Sequence, residues 1–366
     1  MTRTWSRRIV VFGLALALVA APGAALVKRT FVYVHDRQDG GGIFGFELGS
    51  DGGLTPLPGS PTAHPDTVLA GCIDNCQTLT YSTKRKTLYA GGDTGISAWT
   101  VDEDGFLTSL GGPFVPSGGG DFLGTGVVQA GKRTFVYSTS FDDRVYAFEA
   151  ATDGSLTEIG FIATGAGPIG LAARKKFVFV ANNGDGSISS YVAAKDGTLT
   201  ESPGSPLSPP VLLSIFNVDP DPRGKFLYVA DDFGGVHSFK VDKKTGALDE
   251  VQGSPFLTQF AGFKNGAIVT KKFVWAIDAN VTDDAMQPFF TSKNGSLSVT
   301  GIAINTPIVI LAHTADAKAK RLVLAGPASI VVGTLLKGET NGMIEGIGSA
   351  EFPDFVNANA VVMVKR

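Results

Sequence analysis

Two features keep one phase along the whole 366-residue chain, and together they constrain the fold more than anything else in it. The first is a basic turn followed by a β-branched and aromatic run with a bulky residue at its centre. The central residues are Tyr33, Tyr89, Tyr137, Phe179, Tyr228, Trp275 and Leu324, spaced 42 to 56 residues apart. The second is a glycine 16 to 20 residues after each: Gly52, Gly105, Gly154, Gly197, Gly246, Gly295 and Gly342. Each of these glycines follows Asp, Asn or Thr, with Leu or Ile two residues later. Seven units of this length are the signature of a repeat architecture.

The fourth unit shows what one repeat forms. Ile169 to Ala172 is a short apolar run, Arg174-Lys175 turns the chain, and Phe177 to Ala181 has strand composition. After the polar loop Asn182 to Gly186, Ser187 to Val192 alternates and reads as a half-buried strand. Asp196-Gly197 is a hairpin turn, since glycine accepts positive φ at no steric cost, and Leu199 to Glu201 is a brief outer strand. Four antiparallel strands per unit of about 49 residues match a propeller blade. The sequence therefore predicts an all-β, seven-bladed β-propeller over 26–366. Ala360 to Val364 reads as an innermost strand that completes blade one beside Phe31 to His35, closing the ring and pairing its edges.

Residues 1–25 read as a signal peptide rather than as part of the fold. Arg3, Arg7 and Arg8 precede the apolar run Ile9 to Ala20, and small residues follow at Ala21 to Ala25. Ser6-Arg7-Arg8 has a twin-arginine flavour. The run is short for a membrane span, so no stable insertion is expected after cleavage, and the mature chain is expected outside the cytoplasm, secreted or periplasmic. In that compartment the only two cysteines, Cys72 and Cys76, are expected to form a disulfide across a small loop. A net charge of −3 gives no overall field to recruit nucleic acid or an anionic membrane.

Strand order fixes two faces. The upper face carries the loops before each first strand and after each second strand, and the lower face carries the two hairpin turns. The chain leaves each second strand at Asp36, Gly92, Ser140, Asn182, Asp231, Asp278 and Pro327. A sparse upper ring of Asp and Asn follows, able to hold a divalent cation or hydrogen-bond a polyol; no other cofactor or metal is expected. Asp36, Asn182, Asp231, Asp278 and His64 are the ligand-binding candidates there. His35 and His64 fall near the upper channel mouth, His237 inside a strand, and His313 on the innermost strand of blade seven. Gly165-Ala166-Gly167-Pro168-Ile169-Gly170 spells a dinucleotide fingerprint, but a strand follows it where the fingerprint needs a helix.

The Phe-Val-Ala-Asn string ending at Asn182 and the Tyr-Val-Ala-Asp string ending at Asp231, with their Asp-Gly-x-Leu turns, resemble the lactonase-like propellers with Tyr-Val-Thr-Asn repeats. That group includes the propeller-type 6-phosphogluconolactonases, and the resemblance spans essentially the whole mature chain. It implies the fold and, for the group's enzymes, an Arg and a His at the head of one innermost strand with a Glu beside the neighbouring strand. The fifth unit is the matching one here. It reads Ser214-Ile215-Phe216-Asn217 and then Asp231-Asp232, so Arg and His are missing and Asp232 alone stands for the Glu. His313 has the family spacing in another blade. The expectation is therefore a monomeric binding module whose upper loops take a protein, glycan or cell-envelope ligand. The alternative is a hydrolase of lactones or related esters using Asp231, Asp232, His35 or His313. An enzyme requires a convergent acid/base pair in the channel.

Overall fold

A computed structural model of the chain describes residues 28–36, 42–66, 76–209, 214–259, 264–278, 285–301, 304–305, 310–315, 321–326, 329–335, 344–351 and 358–366. The expected leader at 1–25, together with Cys72, Pro327 and Gly342, lies outside these residues. Seven antiparallel sheets form the seven blades. In blade 4 they run Pro168–Arg174, Phe177–Asn182, Ser187–Ala193 and Leu199–Glu201, from the axis outward, close to the boundaries read from the sequence. Blades 1, 5 and 6 add a two-residue strand beside the third strand.

Second strands are buried on both faces, because each blade is sandwiched between two others. Phe177–Asn182 is buried at every residue. The third strand departs from expectation: Ser187–Ala193 is buried on both faces rather than alternately. Its serines are tolerated there because they are hydrogen-bonded. Ser189 Oγ accepts from Asn182 Nδ2 at 2.9 Å, and Ser190 Oγ donates to the Gly246 carbonyl at 2.7 Å.

The two repeat markers meet across the blade interface. The hydroxyl of Tyr33 donates to the carbonyl of Gly105 in the next blade, Tyr89 to Gly154 and Tyr137 to Gly197, at 2.6, 3.0 and 2.9 Å. Opposite these tyrosines on the third strand sit Gly45, Ala98 and Ala147, small enough to leave the ring room. In blade 4 the marker is Phe179, which has no hydroxyl, and the residue opposite is Ser190, whose Oγ reaches Gly246 instead. Blade 5 repeats the exchange through Ser238, opposite Tyr228, to Gly295 at 2.9 Å. The acceptor must be glycine. Gly197 has φ +93°, and a Cβ there would lie 2.4 Å from Phe135 of the preceding blade.

The ring closes as the sequence predicts. Ala358–Lys365 runs antiparallel to Thr30–Asp36, with Val364 opposite Phe31 and Val362 opposite Tyr33.

The inter-blade contact is testable at blades 3 and 4. Tyr137→Phe leaves the buried Gly197 carbonyl without its donor and should cost about 1–2 kcal/mol. Gly197→Ala should cost more, since the left-handed backbone alone is worth about 1–3 kcal/mol and the Phe135 clash adds to it. Urea midpoints at constant m-value should fall in that order, and a Tyr137→Phe protein as stable as wild type would show that the contact contributes nothing.

Candidate functional site

The seven innermost strands surround a cavity of about 490 Å³ on the propeller axis. Pairing register places one residue of each strand directly opposite the bulky marker of its blade, so these residues share one level of the channel. They are Val362, Thr80, Gly126, Ala172, Asp219, Ile268 and His313. Five are apolar, small or hydroxylic. The two ionisable ones, Asp219 in blade 5 and His313 in blade 7, flank blade 6.

The backbone of Ala267 in blade 6 joins them. Its N–H donates to Asp219 Oδ2 at 3.0 Å, and His313 hydrogen-bonds to the same residue's backbone. From across the channel, Gln77 of blade 2 brings its amide Nε2 to 3.4 Å from Asp219 Oδ1. Gln77 can reach because its own backbone is left-handed, at φ +51°, and is fixed by the Thr125 N–H donating to its carbonyl at 3.0 Å. Its Oε1 is buried with no hydrogen-bond partner. Above Gln77, Cys76, Leu123 and Ile169 are buried together with Phe216 against them, an apolar cluster at the upper ends of blades 2 to 5. The cavity lining continues downward to Thr83, Gln129, Ala173, Val269 and Ala315, the residues that adjoin the lower turns.

Electrostatics separate the two ionisable groups. Desolvation in the channel pushes the Asp219 carboxyl up to about 7, with the Ala267 N–H only partly offsetting it. The same desolvation pulls His313 down to about 4, against the Ala267 hydrogen bond. Near neutral pH, Asp219 therefore exchanges a proton readily while His313 is a neutral imidazole.

The other expected residues are placed elsewhere. Asp231 is buried at the end of its strand: Oδ1 accepts the N–H groups of Phe233 and Gly235, and Oδ2 holds His237 Nε2 at 2.8 Å. His237 Nδ1 lies 3.0 Å from Glu250. Burial pulls this imidazole down, but the two carboxylates outweigh it and leave it raised. Asp232 is half-buried beside this bridge. Asn182 is consumed by Ser187, Ser189 and Thr164. His35 and His64 stack on each other at 4.8 Å, and His64 also lies against Trp99. Both are held below the ordinary imidazole value, chiefly by desolvation. His35 Nδ1 is 2.9 Å from Thr78 Oγ1. Asp36 is buried at the closing pair of blade 1. The side chain of Asp278 is outside the described residues. Among the described residues no three His, Cys, Asp or Glu side chains come together to hold a metal ion. Sequence reasoning brought His313 forward and missed Asp219 and Gln77. The available signal for Asp219 was a carboxylate nine residues before a marker, inside an innermost strand that is otherwise apolar or small.

Comparison with known structures places this geometry. A candidate 6-phosphogluconolactonase of Bacteroides fragilis superposes with a TM-score of 0.73 at 18% identity, over 92% of this chain and 98% of that one. One from Bacteroides uniformis gives 0.72 at 20%, over 92% and 99%. The periplasmic gluconolactonase of Pseudomonas aeruginosa gives 0.69 at 14%, again over 92% and 99%. The fold is the lactonase-like seven-bladed propeller. No family model and no curated protein matches the sequence. At these identities the likeness carries architecture, and chemistry has to be read from the residues of this chain.

The two channel groups predict opposite pH dependences. Asp219 has a folded pKa of about 7, above its ordinary 3.8, so it holds a proton in the fold that the unfolded chain has lost. It takes stability away as pH rises from about 4 to 7. His313 has a folded pKa of about 4, below its ordinary 6.5, so it adds stability as pH rises from about 4 to 6.5. Relative to wild type, Asp219→Asn should gain in melting temperature as pH is raised through its window. His313→Asn should lose through its own. Parallel wild-type and variant profiles would show that neither group is desolvated as described.

Proposed function

We propose that the protein is a hydrolase of lactones or related esters acting in its central channel, with Asp219 as the acid/base group. The observation that supports this reading is the convergence of Gln77, Asp219 and His313 from blades 2, 5 and 7 on one channel cavity. It sets one acid/base group and one amide donor in a single cavity, an arrangement useful to an enzyme and not needed by a loop-based binder. The cavity volume is that of a small-molecule site.

In the proposed reaction Asp219 carboxylate takes a proton from a water molecule whose oxygen attacks the lactone carbonyl. The Gln77 amide, already aimed at the carboxylate, is a hydrogen-bond donor for the developing oxyanion. The tetrahedral intermediate then expels the ring oxygen, Asp219 returns the proton to it, and the open hydroxy acid leaves. His313, neutral, stays in place on Ala267 and adds no charge to the cavity. A carboxyl with a pKa of about 7 is a far better base than an ordinary aspartate.

Binding by the upper loops is retained as a second reading because of one feature. Phe233 and Leu257 of blade 5 are 63% and 67% exposed, and both adjoin Gly235, Leu257 as its strand partner. A protein, glycan or envelope component docking there would act independently of the channel.

Sugar-lactone assays decide between the two. Hydrolysis should follow an apparent pKa near 7, and Asp219→Asn should lower kcat/KM by on the order of 10²–10⁴. Asp232→Asn should leave it unchanged. Absence of turnover across several lactones, or activity that survives Asp219→Asn, would reject the channel reading.

We also propose that the chain is exported as a monomer and that Cys72 and Cys76 are bridged. The charged and apolar pattern of residues 1–25 and the full burial of Cys76 support this. Cys76 directly precedes Gln77, so the bridge would fix the backbone that carries the amide over Asp219. Thiol titration of the exported, denatured, unreduced protein should find no free thiol. Cys72→Ser should fold with a stability loss of at most a few kcal/mol. Two titratable thiols would refute the bridge.

A further inference from the structure

The net charge conceals a strong segregation of charge on the lower face. The turn between the innermost and second strands carries cations in blade after blade, and these turns surround the axis. Lys84, Lys132, Lys175, Arg223, Lys271 and Lys365, from six different blades, are all exposed there. Among the described residues, one carboxylate shares these turns: Asp221, which is buried and accepts the backbone N–H groups of Arg223, Lys225 and Phe226. Among the described residues the ion pairs involve Arg29, Arg133, Arg144 and His237, and none includes Lys84, Lys132, Lys175, Arg223 or Lys271. Farther out, the Asp-Gly turns mix Asp51, Asp153 and Asp196 with Lys195, Lys244 and Lys293.

A second observation concerns arginines at the same mouth. Arg85 Nε, Arg174 Nε, and Arg366 Nε and Nη2 are buried atoms with no hydrogen-bond acceptor, although Nη2 of Arg85 and of Arg174 donates to the carbonyls of Lys132 and Pro222. They belong to blades 2, 4 and 1. A buried guanidinium N–H without an acceptor is costly, and oxyanions are the groups that match its geometry. The channel cavity reaches down to Thr83, Gln129, Ala173 and Val269, close in sequence to this ring, and an apolar cluster around Cys76 lies at the upper ends of blades 2 to 5.

We propose that the lower mouth of the channel is a binding site for a compact multivalent anion, a small molecule bearing several phosphate or carboxylate groups. Each exposed cation alone contributes little in water. A ligand gains only by meeting several at once, and the ring offers that on the axis, where fields from all blades add. A flat anionic bilayer would also lie on the mixed-sign rim, so the charge pattern favours a compact ligand over a membrane. The proposal does not depend on hydrolysis in the channel.

Titration calorimetry of the full mature protein with tripolyphosphate tests it, with citrate as the carboxylate probe. Tripolyphosphate should bind with roughly 1:1 stoichiometry at low ionic strength and weaken sharply at about 0.5 M salt, where screening is within a few Å. The exposed triple variant Lys84→Glu/Lys175→Glu/Lys271→Glu should bind at least about tenfold more weakly, one to two cation contacts at the strength of a charge-assisted hydrogen bond. The rim variant Lys195→Glu/Lys244→Glu should bind like wild type. Absence of binding by wild type, equal loss in the rim variant, or binding to phosphatidylglycerol vesicles without binding to tripolyphosphate would overturn the proposal.

Discussion

Everything in this molecule hangs on how one blade is fastened to the next. The fastening is a hydroxyl donated to the carbonyl of a left-handed glycine, and it is why two sequence markers so far apart keep a common phase. The glycine turn must come within van der Waals reach of an aromatic ring in the preceding blade, as Gly197 does with Phe135 and Gly295 with Phe226. Only a residue without Cβ fits, and only positive φ turns its carbonyl toward the donor. The donor's identity is less constrained than its position. Tyr137 supplies it from the second strand, whereas Ser190 and Ser238 supply it from the third. What persists through the exchange is one buried hydrogen bond at each of the five interfaces from blade 1 to blade 6, with the space opposite adjusted from alanine or glycine to serine.

Because strand pairing keeps one register from blade to blade, the innermost strands present equivalent positions to the axis. Function then comes from departures from equivalence. At the level of the markers, Asp219 and His313 break an otherwise apolar or small ring, and the same desolvation drives their pKa values in opposite directions. Asp219 has an N–H and an amide, which favour its carboxylate only modestly, so it stays near the midpoint of its titration at neutral pH. Asp231, one strand away, has two backbone donors and an imidazole, and is spent on holding its own loop.

This contrast explains what the sequence made legible. Blade number, strand limits within two residues in blade 4, and closure of the ring through Ala358–Lys365 follow from local pattern and spacing. The site depends on things the pattern does not contain. Asp231 and Asp219 look equally plausible as text, and differ only in what seven converging strands leave around them. The stacking of His35 on His64, and the use of Asn182 to satisfy buried serines, likewise depend on a loop folding back over a strand end. The serines of Ser187–Ala193 misled for a related reason: alternation of polar and apolar residues signals exposure only where the polar face lacks a partner, and here the next blade provides one.

The sequence reading looked for ligand chemistry at the upper mouth of the channel, and the cavity lining draws attention to the lower mouth as well. Cys76, Leu123, Ile169 and Phe216 form an apolar cluster at the upper ends of blades 2 to 5, and the described lining of the polar cavity runs down to residues beside the lower turns. Basic residues at those turns were visible as punctuation before each second strand, and a net charge of −3 made them look neutralised. Neutralisation requires proximity, however. Screening confines an exposed charge to about 8–10 Å at ordinary salt, and the carboxylates that balance the total sit mainly on outer turns and upper loops. Any molecule reaching Asp219 from below passes the cations first. In the proposed site the local field at the mouth, rather than the sum over the chain, would govern what is drawn into the channel.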